Sequence, residues 1–427
     1  GLDGTPTQFT GYASLEDTGK ILAIVTDGEI CSSIREGEEG ILVLDRTPFY
    51  AEMGGQAPDF GTIRLGDSVF QVNNVQKDKA DKYLHYGKLV SGRLSVEDTV
   101  ASSVDSERRQ AICRAHSATH LLQAALQHVL GDHVHQAGSL NTPDHIRFDF
   151  THFSAITEEE LQAITEFVND AVLSGYPVET KIMGIQEAKE AGAMALFGEK
   201  YGDQVRVVTM GEVSMELCGG THLDNTAKVG SFCILSEGSV ASGVRRIEAI
   251  VGKENLKLAA ENTRLIRDAA AALKTSPSEL LTRLDQNQRD FKAMHQRMEQ
   301  MQSKLMASDA DRFLYAAKQV KGLHVLTTTL GAMEAAELRK IGDMLRDKDP
   351  AVVAVLSSVN GEKITFHAVC GKQAVSAGIR AGDLIKTVTA ITGGSGGGKP
   401  DSAMGGGKDP LMLDNALAVV DNYVSEH

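Results

Sequence analysis

Nowhere in these 427 residues does an apolar run approach the roughly 18 residues a membrane span requires, and the start, Gly1-Leu2-Asp3-Gly4, has neither the basic nor the apolar region of a secretion signal. A cytoplasmic protein with no membrane partner is expected. Cysteine is scarce: Cys31, Cys113, Cys218, Cys233 and Cys370 are odd in number and widely scattered, which excludes a disulfide framework and favours thiols or a metal ligand in a reducing compartment. Positive charge is also short, with 43 Lys and Arg against 57 Asp and Glu and a formal charge of −14, so phosphate binding over the whole surface is disfavoured. The deficit is regional: residues 1–251 hold 20 basic against 36 acidic side chains, residues 252–321 hold 13 against 9, and residues 322–427 hold 10 against 12. Residue 1 is Gly and not Met, so the chain is expected to be part of a longer protein.

What is present is ordinary globular composition, 42% hydrophobic and 23% charged, with a surplus of 42 glycines. The length calls for more than one hydrophobic core. Over residues 1–100, short runs such as Ile21-Leu22-Ala23-Ile24-Val25, Ile41-Leu42-Val43-Leu44 and Val69-Phe70-Gln71-Val72 alternate with Gly and Asp turns, the pattern of a small barrel or sandwich. From Ala111 the period becomes helical, with Gly131 as a C-cap. Strands at 146–150, 205–208, 232–235 and 246–250 and a helix over roughly 157–174 make residues 101–251 an α+β domain. Residues 252–321 are helical with one break at Thr275-Ser276-Pro277, where Ser276 is placed to cap. Their second helix carries a seam, Leu280, Leu284, Asn287, Phe291, Met294, Met298, Met301 and Leu305, at coiled-coil spacing. It serves either a helical hairpin within the chain or self-association. Residues 322–427 alternate strands and helices as a separate α/β domain.

Two short motifs carry chemistry. His116 and His120 lie i, i+4 on the 111–130 helix, so both imidazoles share a face. Cys218-Gly219-Gly220-Thr221-His222 offers a thiol and a third imidazole, with two glycines that let the backbone turn until they converge. Three nitrogens and one sulfur suit a single tetrahedral zinc. A core cysteine is the alternative for Cys218, but flanking glycines are a poor setting for a core strand.

His116-Ser117-Ala118-Thr119-His120 followed by Glu216-Leu217-Cys218-Gly219-Gly220-Thr221-His222 resembles the editing domain shared by alanyl-tRNA synthetases, free-standing alanyl-tRNA editing proteins and, more distantly, threonyl-tRNA synthetases. Three segments further resemble the alanyl enzymes: Thr47-Pro48-Phe49-Tyr50-Ala51-Glu52-Met53-Gly54-Gly55-Gln56, Gly192-Ala193-Met194-Ala195-Leu196-Phe197-Gly198-Glu199-Lys200-Tyr201 and Gly243-Val244-Arg245-Arg246-Ile247-Glu248-Ala249. The resemblance implies a β-barrel (1–100), an α+β editing domain (101–251), an antiparallel helical or coiled-coil linker (252–321) and a glycine-rich C-terminal tRNA-binding α/β domain (322–427). It implies hydrolysis of Ser-tRNA(Ala) and Gly-tRNA(Ala) at a zinc site, because a pocket made for alanine rejects neither a smaller nor a hydroxylated side chain well. Thr119 would sense the seryl hydroxyl, Gln136 would orient substrate or water, Cys218 would serve both metal and catalysis, and Arg245 and Arg246 would clamp tRNA phosphates. Ligation of alanine, with ATP and magnesium, would belong to a catalytic domain for whose motifs this chain has no candidate.

Gly393-Gly394-Ser395-Gly396-Gly397-Gly398-Lys399-Pro400 and Gly405-Gly406-Gly407-Lys408 nearly spell a phosphate loop, but Pro400 stands where Ser or Thr would hold magnesium. A structured glycine loop is expected, with Gly396, Gly397, Gly398 and Lys399 approaching RNA through bare backbone N–H groups. The resemblance gives this domain the elbow of tRNA. A non-enzymatic module for tRNA binding and oligomerisation, through 280–305 and the C-terminal domain, is the alternative. A threonyl-type editor is disfavoured by the glycine-rich domain, and a nucleic-acid phosphodiesterase by the absence of a second Asp and His cluster.

Overall fold

The β-branched runs of the first hundred residues form six strands of a closed barrel: β1 (Glu16–Thr26), β2 (Glu39–Leu44), β3 (Gly61–Leu65), β4 (Ser68–Lys77), β5 (Tyr83–Ser91) and β6 (Thr99–Val104). β6 pairs with β3 on one side, Ser102 opposite Ile63, and with β1 on the other, Thr99 opposite Lys20. This closure leaves no free edge among the six. Alternate side chains, among them Ile21, Leu42, Ile63, Phe70, Val72 and Val100, fill the interior. The structure, a computed structural model, describes residues 6–195 and 202–427; residues 196–201 of the Gly192–Tyr201 segment lie outside the described residues. The chain divides into two units, Gly1–Asp268 and Ala269–His427.

Still in the first unit, α1 (Ser106–Leu130) begins where the Asp105 side chain accepts from Arg108 N and stops at Gly131, whose φ of 114° suits glycine. It starts five residues earlier than the helical period suggests. Residues 115–123 are buried without interruption, so this helix is enclosed all round. It packs on α2 (Glu158–Ser174), whose Thr157 and Glu160 form a capping box, and on an antiparallel sheet. That sheet runs β7 (Gln136–Asn141), β8 (Ile146–Thr151), then β13 (Val244–Val251) and β12 (Phe232–Ala241). A smaller sheet of β9 (Val178–Gly184), β10 (Gln204–Met210) and β11 (Ser214–Leu217) delivers the chain to Cys218.

The helical segment is α3 (Lys253–Ala272) and α4 (Leu280–Tyr315). At the break between them Lys274 takes φ +52° and Pro277 starts a short 3-10 turn. Ser276 does not cap through its side chain; its hydroxyl meets Ser278 Oγ at 3.0 Å and Glu279 Oε2 at 3.2 Å. Along α4 the seam residues Phe291, Met294 and Leu305 are 68%, 63% and 67% exposed.

In the second unit a six-stranded sheet runs β14 (Lys318–Val320), β15 (Leu323–Leu330), β16 (Val352–Asn360), β17 (Lys363–Cys370), β19 (Ser402–Gly407) and β18 (Ser395–Gly398). α5 (Ala335–Lys348) makes the crossover between the parallel pair β15 and β16. α6 (Ala381–Ile391) and α7 (Leu413–Glu426) complete the domain. The glycine segment is not a loop. Gly396, Gly397 and Gly398 lie in the edge strand β18, paired with β19, and Lys399 begins the turn between them. Glycine is required by packing: a Cβ on Gly396 would come within 2.5 Å of Ile385 Cγ2, and one on Gly405 within 2.6 Å of the same atom. α6 therefore rests directly on backbone at these two positions.

Candidate metal centre

The buried length of α1 carries His116 and His120 inward, and the turn after β11 brings Cys218 and His222 to meet them; one ligand atom from each lies within 4.8 Å of the others. His116 Nε2 is 3.5 Å and His222 Nε2 3.2 Å from Cys218 Sγ. Arg206 on β10 holds the turn by donating from Nη1 to Cys218 O and Gly220 O, both at 2.8 Å. Its guanidinium lies 4.2 Å from the Tyr12 ring centroid, and the Tyr12 hydroxyl donates to Gly219 O. Three successive carbonyls are thus pulled to one side, which frees the Cys218 and His222 side chains to face α1.

Burial, with the Arg206 cation as second cause, pushes the His116 imidazole down to about 4. Burial first, and neighbouring imidazoles next, drive His120 and His222 well below the usual range. At neutral pH all three are uncharged, the form in which an imidazole offers a lone pair to a metal. The outer nitrogens are engaged in two cases: His116 Nδ1 meets Gln56 Oε1 at 2.9 Å, and His222 Nδ1 meets Ser117 Oγ at 3.1 Å. His120 Nδ1 is buried without a hydrogen-bond partner, and Glu216 Oε1 lies 3.8 Å away. Burial raises the Glu216 carboxyl to about 8, against the Ser214 hydroxyl that donates to it at 3.0 Å. A donor set of three imidazole nitrogens and one thiol sulfur, with the imidazoles neutral and outer polar groups at or near each Nδ1, fits a bound zinc ion in donor chemistry and surroundings.

The cluster closes one end of a cleft of about 610 Å³. Tyr12, Tyr50 and Tyr83 of the barrel segment line it together with Thr119, Gln136, Ser139 and Glu216. Thr119 Oγ1 reaches both Ala115 O, at 3.0 Å, and Asn141 Oδ1, at 2.5 Å, so the back-bond to the helix and the place in the cleft coexist. Gln136, at the start of β7, is half-buried and donates from Nε2 to Ser139 Oγ at 3.1 Å. Thr119, Gln136, His116, His120 and Cys218 are therefore gathered in one place, with His222 joining at the cluster.

Arg245 and Arg246, expected to clamp tRNA phosphates, are each paired with a carboxylate of the same sheet. On β13, Arg245 is held bidentately by Glu237 of β12 with both side chains largely buried, and Arg246 bidentately by Asp149 of β8, Nε to Oδ1 at 2.6 Å and Nη2 to Oδ2 at 2.8 Å. Both cations are answered within the sheet. The residues left unassigned by sequence reasoning are Gln56, Ser117, Asn141, Arg206 and Glu216. Gln56, Ser117 and Glu216 do fall inside motifs singled out above, but the histidines they meet are distant in the chain.

Residues 2–108 match the family of tRNA synthetases class II (A), residues 205–248 the threonyl and alanyl tRNA synthetase second additional domain, and residues 322–426 the DHHA1 domain. The chain is 44% identical over 411 residues to an alanine–tRNA ligase of Acetivibrio thermocellus, covering 96% of this chain and 47% of that protein. It is 45% identical over 423 residues to one from Methylobacillus flagellatus, covering 99% and 48%. The chain belongs to the alanyl-tRNA synthetase family, whose C-terminal portion with its editing domain it matches, and it spans about half the length of these curated relatives. A crystal structure of the C-Ala domain from Aquifex aeolicus alanyl-tRNA synthetase is 30% identical, covering 26% of this chain and 97% of that one, with a TM-score of 0.25.

Proposed function

We propose that the first unit hydrolyses the ester between serine or glycine and the 3′ adenosine of tRNA(Ala), and that the second unit binds tRNA. The observation that carries this reading is the convergence of His116, His120, Cys218 and His222 at the end of a cleft that also presents Thr119 and Gln136. Tyr12, 51% exposed, offers the cleft an aromatic ring for a terminal adenine, and the cleft has the size of an ordinary small-ligand site. His116, His120, Cys218 and His222 would hold a zinc ion, whose positive charge would help to position the substrate while a nearby water attacks.

The chain's own groups do the rest. Thr119 presents a hydroxyl whose position is fixed by Ala115 and Asn141, and whose lone pairs would accept a hydrogen bond from a seryl hydroxyl. Gln136, anchored on Ser139, orients a water beside the ester. That water's oxygen bonds to the acyl carbon, the acyl–O3′ bond breaks, one proton goes to the ribose O3′, and the other leaves to solvent as the free amino acid ionises. In the longer parent protein this activity would accompany ligation of alanine to tRNA(Ala) with ATP and magnesium.

A second reading, a tRNA-binding and self-association module, is favoured by one observation, the exposed Phe291, Met294, Met298, Met301 and Leu305 stripe. Hydrolysis of Ser-tRNA(Ala) by wild type, Cys218→Ala and Gln136→Ala chains separates the two. The enzyme reading expects turnover by wild type and a loss on the order of tenfold or more in each variant. Zinc lost from Cys218→Ala with deacylation at the wild-type rate would remove the metal from the reaction. Multimers without turnover would leave the module alone.

A further inference from the structure

The segment Thr47–Gln56 resembles its counterpart in the alanyl enzymes, yet nothing in the cleft's chemistry assigns it a role. Its last side chain, Gln56, is fully buried between the barrel and α1. Gln56 Oε1 faces two nitrogens, Thr221 N and His116 Nδ1, each at 2.9 Å, and Gln56 Nε2 donates to Thr221 Oγ1 at 2.8 Å. A backbone N–H only donates, so the amide atom facing Thr221 N is the carbonyl oxygen. A carbonyl oxygen only accepts, so His116 must carry its hydrogen on Nδ1. The lone pair is then on Nε2, the nitrogen directed at Cys218 Sγ.

The surrounding backbone is built for this contact. A Cβ on Gly220 would stand 2.1 Å from His116 Cε1, 2.4 Å from His116 Nδ1 and 2.9 Å from Gln56 Oε1, so only glycine leaves the pair intact. The loop carrying Gln56 is pinned in turn, with Asn141 N donating to Gly55 O at 2.7 Å and Ala57 N to Asn141 O at 3.0 Å. We infer that Gln56, a barrel residue, is a positioning residue of the metal centre: it selects the His116 tautomer and thereby sets metal affinity from outside the ligand set. This inference rests on the reading of His116, His120, Cys218 and His222 as zinc ligands.

The test compares the 427-residue chain with Gln56→Met and Gln56→Glu, measuring zinc affinity by chelator competition, the absorption bands of the cobalt-substituted protein, and thermal melting. Gln56→Met, similar in length but without the amide oxygen, is expected to weaken zinc binding about 10- to 100-fold and to shift the cobalt bands. Gln56→Glu keeps an acceptor for His116 and Thr221 N and is expected to hold zinc within a few-fold of wild type. Wild-type affinity and an unchanged cobalt spectrum in folded Gln56→Met would overturn the inference while leaving the ligand set standing. No zinc binding by the wild type would overturn the ligand set and the inference with it. Should Gln56→Met not fold, the nitrogen-15 spectrum of the metal-free wild type decides: a His116 proton on Nδ1 supports the inference, and one on Nε2 refutes it.

Discussion

Replacing Arg109 with Met would test what ties α1 to the barrel segment. Arg109 rises from α1 and is 3% exposed, and its partner Asp59, from the barrel segment, is 0% exposed. The guanidinium donates from Nε to both Asp59 oxygens, at 2.9 and 3.0 Å, from Nη1 to Gly11 O at 2.8 Å and from Nη2 to Pro48 O at 2.9 Å. Asp59 Oδ2 accepts in addition from Tyr50 N at 2.7 Å. Without Arg109 a carboxylate stays buried with that N–H as its remaining donor, and two barrel-segment carbonyls lose theirs. Breaking a buried pair in this way costs about 3–5 kcal/mol, more than the median surface ion pair by several-fold. For a unit of this size that is a fall in melting temperature of roughly 6–20 °C. The assay is thermal melting followed by circular dichroism. Converting Asp59 to Leu in the same chain removes the stranded charge and should recover most of the loss. A single variant within about 1 kcal/mol of wild type, or a double variant no better than the single one, would refute the argument that the stranded carboxylate dominates.

Three further outcomes follow from the same reasoning. His85, buried against Thr47 and Leu42 O, has its imidazole pushed down to about 4 by burial, from an ordinary 6.5. The unfolded chain therefore takes up a proton first as pH falls: stability is complete above pH 6.5, declines to pH 4 by up to about 3 kcal/mol, and His85→Gln should flatten this window in pH-dependent denaturation. Thr119→Val removes the hydroxyl facing the cleft and should slow Ser-tRNA deacylation about tenfold while leaving Gly-tRNA deacylation nearly unchanged; equal effects on both would deny it a part in recognising serine. Gly396→Ala places a methyl against Ile385 and should destabilise the second unit by about 1–3 kcal/mol, as read by denaturant unfolding.

Much of this arrangement is legible in the order of residues, and the illegible parts have a common physical origin. The strand runs at 21–25, 41–44 and 69–72 announce themselves by composition, but closure of the barrel by β6 onto β1 depends on pairing residues about eighty positions apart. His116 and His120 share a helix face, and Gly219-Gly220 marks a turn, so the members of the cluster could be named without coordinates. Their outer partners could not, because Gln56 is sixty positions from His116 and meets it only where barrel and helix pack. Arg245 and Arg246 looked available because their carboxylate partners sit on neighbouring strands. The glycines of 393–407 read as a loop since glycine weakens strands, yet Gly396–Gly398 and Gly405–Gly407 form a hairpin, in which Ile385 of α6 lies too close to Gly396 and Gly405 for a side chain.

The central claim is that this chain corrects mischarged tRNA at the His and Cys cluster, and one measurement addresses it most directly: the rate at which the zinc-loaded 427-residue chain releases serine from Ser-tRNA(Ala), beside alanine from Ala-tRNA(Ala). The account predicts rapid release of serine, slow release of alanine, and loss of serine release when the metal is chelated. Serine release no faster than the spontaneous rate, or equal release of the two amino acids, would contradict it.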